Sequence, residues 1–389
     1  MPPVIGRAPR GRRVARLLPL VAAAAALVLV AIGVSAPAAA TPKGEGELDL
    51  LEWPSFSDSS FAASFERQTG CKIRRRDVGS SNQMVALMEN GGGGKVDLVS
   101  AVGDISRLLI SARDVRAIAV SRIPGYAGLM PVFRSPKFTT VGSVHYGVAV
   151  AWEQNLLLFD PKQVKPAPTS WAVLYDRTYR SKITVPNNPL QIADAALYLM
   201  SARPALGIRD PYELTKPQFD AALALLARQK PLVASYWNYA ADEVHSFKNR
   251  QAVVGLGWPY QVLSLRAAGS PIASMIPREG ATGYADSWLM AAKSRHPNCA
   301  YLWLRYMTTA QAQAKLAVAL GETPTSRKAC APMDVLQPGS CAGYHLDEAA
   351  RYAARIRFWT TPVTTCGWDG RRDCIPLVDW QKAWARLHA

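Results

Sequence analysis

The chain has 389 residues, of which 49% are hydrophobic and 19% are charged, and its formal net charge is +16 at pH 7. Five arginines and no acid lie in the first 40 residues, so the rest of the chain carries about +11. The basic residues are scattered, apart from those at 74–76, which favours a solvated basic surface over a nucleic-acid partner. No nucleic-acid partner is therefore predicted.

The first 40 residues have the pattern of a secretory signal peptide. Five arginines within residues 7–16 precede a continuous apolar run at 17–34, and three alanines at 38–40 offer a cleavage site. The apolar run is long for a signal peptide and approaches the length of a membrane span, so an uncleaved N-terminal anchor is the alternative. We predict that the chain is exported to the periplasm or the cell envelope.

The region at 41–150 alternates strands and helices. Predicted strands lie at 48–52, 71–78 and 96–101, with helices at 57–70 and 82–90 between them. Ser57 is the predicted N-cap of the first helix and Gly70 its end, while Asp104 is the predicted cap of a short helix after the third strand. This order predicts a parallel sheet covered by helices.

The region at 151–274 repeats the alternation. Predicted strands lie at 182–185 and 251–256, and predicted helices lie at 190–202 and 219–229. The last part of the chain, 275–389, has predicted helices at 298–308 and 310–320, followed by a tail that holds four of the six cysteines. About 350 residues follow the leader, which is enough for two lobes.

The six cysteines predict disulfides, because an even number in an exported chain is typical of a disulfide-bonded protein. Two pairs are close in sequence and a third remains, which gives Cys330–Cys341, Cys366–Cys374 and Cys71–Cys299. Six cysteines allow 15 connectivities, so other pairings stay open. Zinc is the alternative, but the paired C-x2-C spacing with histidines that zinc requires is absent from the sequence. No metal is predicted.

Motifs for catalysis are not found in the sequence. A nucleophile elbow of the form G-x-S-x-G does not occur, and the five histidines form no H-E-x-x-H or related pair. Carboxylate pairs lie where a solvated helix face is the default interpretation. We therefore predict no catalytic residue, no cofactor and no enzymatic activity.

Aromatic residues recur at the predicted ends of strands. Trp53 follows the strand at 48–52, and Trp258 and Tyr260 follow the strand at 251–256, while Tyr284 and Asp286 follow a glycine-containing loop. In open α/β sheets ligands bind beyond the carboxyl ends of the strands, where aromatic faces can hold an alkyl chain or an ammonium. Packing between helices is the alternative for each single aromatic residue.

Several segments carry a resemblance to a known family, among them LLEWPSF, YGVAVAWEQNLLLF, VVGLGWPYQV and IPREGATGYADSWLMAAKS. In their order and spacing they resemble the periplasmic spermidine/putrescine-binding family of ABC-transporter solute-binding proteins, over about residues 46–330. The resemblance implies an α/β, two-lobed periplasmic-binding-protein fold. Each lobe would be a mainly parallel sheet with helices, joined to the other by a hinge. Chain crossings between the lobes are then expected near 148–152 and 274–277.

The resemblance also implies a division of the chain. After the leader at 1–40, residues 41–150 would form the first segment of lobe one, 151–274 lobe two, and 275–330 a return segment to lobe one. The cysteine-rich C-terminal segment, 331–389, departs from the family. It is expected either to staple the C-terminus over a lobe or to form a surface for a partner.

The resemblance further implies the binding-site residues. Trp53 would line the cleft with its neighbours, and the family uses the residue at Asp286 to bind an amine. The full set of predicted ligand-binding residues is Trp53, Ser55, Phe56, Asn188, Gln191, Trp258, Tyr260, Tyr284 and Asp286. After the strand at 182–185 the polyamine binders carry acids, whereas this chain has two asparagines and a glutamine at 187–191. Asp286 is then the one carboxylate expected in the site.

A ligand with one amine and one acid group fits this expectation. We predict a monoamine or a zwitterion, with Asp286 at the amine and a helix start, at 57–60 or near Leu190, at a carboxylate or phosphonate. A polyamine such as spermidine or putrescine is the alternative ligand. The predicted partner is the membrane permease of an ABC importer, and the chain is expected to be a monomer. A secreted enzyme on the same scaffold and an anchored envelope protein are the alternative functions.

Overall fold

The computed structural model of the protein describes residues 44–366, 370 and 372–389. The predicted leader at 1–40 lies outside the described residues. Within them, no helix combines the length and the apolar character needed to cross a membrane.

The described residues form sixteen strands and thirteen α-helices. The strands are β1 (Glu47–Glu52), β2 (Lys72–Asp77), β3 (Leu98–Val102), β4 (Thr140–Val141), β5 (Val144–His145), β6 (Gly147–Gln154), β7 (Leu156–Phe159), β8 (Ile183–Pro186), β9 (Val233–Trp237), β10 (Val254–Gly257), β11 (Ala273–Met275), β12 (Ala281–Met290), β13 (Thr323–Pro324), β14 (Ile356–Phe358), β15 (Thr365–Cys366) and β16 (Arg372–Asp373). The helices are α1 (Ser59–Thr69), α2 (Ser81–Met88), α3 (Gly103–Ser111), α4 (Gln191–Ala202), α5 (Lys216–Gln229), α6 (Ala240–Lys248), α7 (Pro259–Ala267), α8 (Pro297–Met307), α9 (Ala310–Leu320), α10 (Cys330–Leu336), α11 (Ser340–Gly343), α12 (Ala349–Ala353) and α13 (Leu377–His388).

Seven strands form the sheet of lobe one, in the order β13-β6-β12-β3-β1-β2, with β14 paired to β12. Strands β1, β2 and β3 are parallel, and helices connect them as the sequence predicts. Strand β12 returns antiparallel between β3 and β6. Five strands form the sheet of lobe two, in the order β11-β7-β10-β8-β9, in which β8 is parallel to both β9 and β10. The predicted α/β fold with two sheets is confirmed, but both sheets are mixed rather than mainly parallel, because antiparallel pairings involve β12 and β13 in lobe one and β7 and β11 in lobe two.

The chain passes between the two sheets at Asn155 and again at 276–280, since β6 and β12 belong to lobe one and β7 and β11 to lobe two. The first passage lies beyond the expected 148–152, because residues 147–154 form one unbroken strand of the large sheet. The second passage overlaps the expected 274–277 and extends beyond it. Both passages are short, as expected of a hinge.

Aromatic side chains fill the core of lobe one. Trp152, Trp288 and Trp303 are fully buried. Phe65 of α1 packs edge-on against Trp303 with 4.9 Å between ring centroids, and Phe61 lies one helical turn earlier on the same buried face. The two phenylalanines therefore face the core as their helical spacing predicts, and the aromatic pair adds to the stability that burial provides.

All three predicted disulfides are present. Cys71, just before β2, is bonded to Cys299 of α8, with the two Cα atoms 5.9 Å apart. The bonds Cys330–Cys341 and Cys366–Cys374 lie within the C-terminal part, with Cα–Cα distances of 5.0 and 6.0 Å. The first bond closes a loop of 228 residues and so restricts the unfolded chain most.

The C-terminal segment, 331–389, contacts both lobes. Strand β14 extends the sheet of lobe one by pairing parallel to β12. Helix α13 packs on α4 and α5 of lobe two, where Trp380 lies 5.8 Å from the ring of Phe219. The segment therefore crosses from one lobe to the other between β14 and α13, which goes beyond a local staple over a single lobe.

Candidate functional site

A cavity of about 740 Å³ lies between the two lobes. Its walls are built where parallel strands end, because Trp53 follows β1, Trp258 follows β10, and Asn187 follows β8. The carboxyl ends of parallel strands from both sheets thus converge on one space. This is the usual place of a ligand site in open α/β sheets.

Six of the nine predicted site residues line this cavity. They are Trp53, Phe56, Asn188, Trp258, Tyr284 and Asp286. The structure therefore brings together, from four separate parts of the chain, most of the predicted site residues.

The other three predicted residues do not line the cavity. Ser55 is exposed and has a left-handed backbone, with φ of 76°, which turns its side chain away. Gln191 is buried and donates a hydrogen bond from Nε2 to Oδ2 of Asp194 at 2.6 Å. Tyr260 lies on α7 with 46% of its surface exposed, outside the cavity. Each of these three residues lies close in sequence to a residue that lines the cavity, but its own side chain does not reach the cavity.

A continuous row of four aromatic rings forms one wall. Neighbouring ring centroids are 4.9 Å apart for Trp237 and Trp258, 5.3 Å for Trp258 and Tyr284, and 5.4 Å for Tyr284 and Trp359. We call these four residues the aromatic wall. It joins lobe two to lobe one and then to the C-terminal segment, and it offers faces that can hold an alkyl chain or a cation.

Hydrogen bonds fix the aromatic wall in place. The indole Nε1 of Trp258 donates to Oδ1 of Asn155 at 2.9 Å, and Asn155 donates from Nδ2 to Oγ1 of Thr282 at 2.7 Å. At the other end, the backbone N–H of Trp359 donates to the carbonyl of Gly283. Gly103, at the start of α3, leaves room for the Trp359 carbonyl, where any side chain would clash.

Three carboxyl groups line the cavity from lobe one: Asp104, Asp286 and Glu322. Asp286 on β12 pairs with Val102, so it lies next to Asp104 in the first turn of α3. Glu322 immediately precedes β13, and its carboxyl group lies near that of Asp286, so the charge of Asp286 opposes its ionisation. We call these three residues the acid cluster. The expectation of Asp286 as the one carboxylate is therefore wrong.

Burial makes the acid cluster costly to ionise in the absence of a cation. Burial raises the pKa of Asp104 to about 6. Burial and then the charge of Asp104 raise the pKa of Asp286 to about 7. Burial and the charge of Asp286 hold the pKa of Glu322 well above its usual range. Oδ1 of Asp104 and Oε2 of Glu322 are buried and accept no hydrogen bond among the described residues.

The cavity lining holds no lysine, arginine or histidine within the part of the chain that the structure describes. The excess of positive charge along the chain therefore lies away from the site, and the local charge has the opposite sign. Such an arrangement attracts a cation locally despite the basic surface.

The helix starts expected to bind an anion are already occupied. Asp58, not Ser57, caps α1, and its Oδ1 accepts from the Ser60 N–H at 2.7 Å. Ser57 instead donates from both its N–H and its hydroxyl to the buried carboxyl of Glu52. At α4, Oδ1 of Asn188 accepts from the Leu190 N–H. The expectation of a carboxylate or phosphonate at 57–60 or near Leu190 is therefore not supported.

A larger cavity of about 860 Å³ adjoins the first beneath the C-terminal segment. The two share Ser80, Ser81, Asp104, Asn187 and Asn188. The aromatic wall and two of the three cluster acids line only the smaller cavity, which is therefore the candidate site.

Sequence reasoning missed Asp104, Glu322 and Trp359. Asp104 follows the end of β3, so the strand-end rule that selected Trp53 also applies to it. Glu322 and Trp359 carry no such signal, because they reach the cavity only through the pairing of β13 with β6 and of β14 with β12.

Comparison with known proteins adds a family and several relatives. The model of the family described as bacterial extracellular solute-binding protein matches residues 60–339. The spermidine/putrescine-binding periplasmic protein of Escherichia coli is 22% identical over 293 residues, which cover 73% of this chain and 80% of the relative. The putrescine/cadaverine-binding protein of Pseudomonas aeruginosa is 22% identical over 299 residues, covering 74% and 81%. A putative spermidine/putrescine ABC transporter protein from Listeria monocytogenes has the same fold, with a TM-score of 0.68 at 15% identity, over 88% of this chain and 99% of that one.

Proposed function

The chain belongs to the bacterial extracellular solute-binding proteins, and we propose that it captures a small amine between its two lobes for an ABC importer. Capture would proceed by closure of the lobes about the passages at Asn155 and 276–280. Closure excludes water from the cavity, which strengthens the attraction between an ammonium and the acid cluster. The closed form would then present one surface, formed from both lobes, to a membrane permease.

The acid cluster is the observation that carries this proposal. It places three carboxyl groups against an aromatic wall, without a basic side chain in the described lining. An ammonium would supply the hydrogen-bond donors that the buried oxygens of Asp104 and Glu322 lack. It would also favour the ionised form of Asp286 and Glu322, since a nearby cation lowers the pKa of a carboxyl group.

A polyamine is the second candidate ligand. The relatives from Escherichia coli and Pseudomonas aeruginosa are named for spermidine, putrescine and cadaverine, and three acids rather than one favour a ligand of higher positive charge. The acids all come from lobe one, however, and the polar side chains that lobe two contributes include the neutral amides of Asn187, Asn188 and Asn238 but no acid. A monoamine or a zwitterion places its single ammonium at the acid cluster and leaves no second cation at those amides.

We further propose that the protein binds without catalysis, acts as a monomer outside the cytoplasm, and has no nucleic-acid partner. The absence of any catalytic motif in the sequence supports the first point, and the extracellular family supports the location. Incubation with a bound amine followed by mass spectrometry should return the ligand unchanged.

Calorimetric titration of the purified protein tests the proposed function. We expect heat of binding with at least one of n-butylamine, putrescine, spermidine and 4-aminobutyrate, and a raised unfolding temperature with the same compound. Acetate and butyrate, which lack an ammonium, serve as controls and should not bind. Binding of the acids without binding of any amine would contradict the proposal.

A further inference from the structure

Three asparagine side chains, beside aromatic ones, line the lobe-two side of the cavity. Asn187 and Asn188 follow β8, and Asn238 follows β9. An amide group can present either its oxygen, an acceptor, or its nitrogen, a donor, to a ligand. The orientation of these amides therefore decides which chemical group the second end of a ligand must carry.

We propose that Trp384 of the C-terminal segment sets this orientation, so that lobe two offers hydrogen-bond donors and selects an amine whose far end is an acceptor, a carboxylate above all. This proposal rests on the proposed function, since it assumes that the ammonium lies at the acid cluster. It adds the polarity of the opposite wall and the residue that controls it.

The orientation follows from the chemistry of the indole group. Nε1 of Trp384 lies 3.0 Å from the side chain of Asn187. An indole N–H donates and does not accept, so the Asn187 atom that faces it is the amide oxygen. The Asn187 nitrogen then points the other way, and it lies 3.1 Å from Asn238. The Asn238 atom that receives this N–H is in turn the oxygen, which leaves the Asn238 nitrogen on the far side.

The amide of Asn188 is also oriented with its oxygen toward the protein, and a different hydrogen bond holds it there. The backbone N–H of Leu190 donates to Oδ1 of Asn188 at 2.9 Å, which fixes the oxygen toward the chain. All three amide oxygens thus accept a hydrogen bond from the protein, with Asn187 and Asn238 exposed. The nitrogens of Asn188 and Asn238 have no partner among the residues that the structure describes, and both side chains line the cavity. They are the amide groups left to a ligand.

Packing holds Trp384 firmly enough to act as the reference point. Its side chain is 7% exposed and belongs to the hydrophobic cluster that α13 forms with α4 and α5. Its ring packs edge-on against Tyr236 at 6.0 Å and lies 4.1 Å from the ring of His388. Trp384 is a positioning residue, because it acts on the ligand through Asn187 and Asn238.

The amide N–H groups of Asn188 and Asn238 would discriminate between ligands of the same length. The second ammonium of putrescine would face N–H groups and lose its hydration without gaining an acceptor, which is costly in a closed cavity. The carboxylate of 4-aminobutyrate would accept from the same N–H groups. n-Butylamine has neither group, so its affinity should lie between those of putrescine and 4-aminobutyrate and serves as the reference.

Replacing the free amide nitrogens of Asn188 and Asn238 by oxygens tests directly whether these groups donate to the ligand. Asn188→Asp and Asn238→Asp keep the size of each side chain and the oxygen that is already bonded, but replace the free NH2 by a carboxylate oxygen. We expect the double variant to reverse the preference, with putrescine binding more tightly than 4-aminobutyrate in calorimetric titration. Asn90→Asp is the matched control, since it adds a charge beside Lys293, away from the cavity, and should leave the preference unchanged.

Trp384→Phe tests the positioning residue, because it keeps an aromatic ring and removes only the N–H. We expect 4-aminobutyrate to bind about threefold to tenfold more weakly, as for the loss of one neutral hydrogen bond, with n-butylamine unchanged. A purely structural role would weaken both compounds by the same factor and would contradict the proposal. A variant that fails to fold leaves the Asn188→Asp and Asn238→Asp experiment to decide.

Measurements on the wild-type protein distinguish this proposal from the proposed function. Equal affinities for n-butylamine and 4-aminobutyrate, or tighter binding of putrescine than of 4-aminobutyrate, would contradict the proposal that Asn188 and Asn238 offer donors to the ligand. The proposed binding of an amine would still stand. Failure of every amine to bind would contradict the proposed function, and with it the proposal that Asn188 and Asn238 donate to the ligand.

Discussion

The two sides of the cavity are built alike and differ in chemistry. On both sides some of the lining residues follow parallel strands, but lobe one contributes the carboxyl groups of Asp104, Asp286 and Glu322, whereas lobe two contributes the amides of asparagines. Oδ1 of Asp104 and Oε2 of Glu322 accept no hydrogen bond among the described residues, whereas the three amide oxygens accept hydrogen bonds from the protein. The fold thus fixes where a wall residue lies, and the identity of a few residues decides what charge each lobe offers.

The largest effect is expected from the lobe-one acids. Asp286→Asn should weaken the binding of an amine by about 100-fold or more, because it removes one partner of a buried charge pair. Calorimetric titration measures the loss. Asp347→Asn changes an exposed acid away from the cavity and should leave the affinity unaltered. An unchanged affinity in Asp286→Asn would show that the ammonium does not lie at the acid cluster.

The acid cluster of lobe one should titrate with pH, whereas the amides of lobe two should not. The pKa of Asp104 is raised to about 6 and that of Asp286 to about 7, whereas amides do not titrate. Because a cation binds the ionised carboxylates, affinity should fall by about 10-fold to 100-fold from pH 8 to pH 5, with protons released on binding. Titrations in two buffers of different ionisation enthalpy count the protons. Affinity that is independent of pH over this range contradicts the prediction.

The stability of the ligand-free protein should move in the opposite direction with pH. A carboxyl whose pKa is raised on folding stabilises the fold below its unfolded pKa, and this contribution is lost as the pH rises through its folded pKa. Between pH 5 and pH 8 the ionisation of Asp286 should lower the free energy of unfolding by roughly 2 kcal/mol. Urea unfolding at several pH values measures this slope. The slope should be smaller in Asp286→Asn, and an equal slope in that variant would assign the effect to other groups.

The smallest effect concerns the aromatic wall that joins the two sides. Trp359→Ala should weaken amine binding by about fivefold to thirtyfold, the range expected when a desolvated cation–π contact is lost. Trp359→Phe keeps a ring next to Tyr284 and should recover part of the affinity. An alanine variant with wild-type affinity would remove Trp359 from the ligand contacts and assign it to packing against α3.

Local sequence was sufficient for the central parallel strands of each sheet and for part of the site. Trp53 and Trp258 follow strands that short apolar runs reveal, whereas the two-lobed fold and the role of Asp286 came from the family resemblance. The position of Ser55 could not be predicted, because one left-handed residue reversed the direction of its side chain. Such a local turn depends on the packing of the segments around it.

Long-range pairing explains what the sequence could not provide. Glu322 and Trp359 are far along the chain from Asp286 and Tyr284, and β13 and β14 bring them to the cavity. Both strands are short, with two and three residues, so neither has the alternation that reveals a strand. The orientation of the Asn187 amide was equally hidden, since it depends on a tryptophan 197 residues away in the sequence.

The crossing of the C-terminal segment from β14 to α13 means that the part of the chain matched by the family model is not a self-sufficient module. The family match ends at residue 339, yet Trp359 of the aromatic wall and Trp384, which orients the amides, both lie beyond it. A fragment cut at that boundary would keep both sheets apart from β14, and it would lose one ring of the aromatic wall and the tryptophan that faces Asn187. The candidate site is therefore complete only when residues beyond 339 are in place.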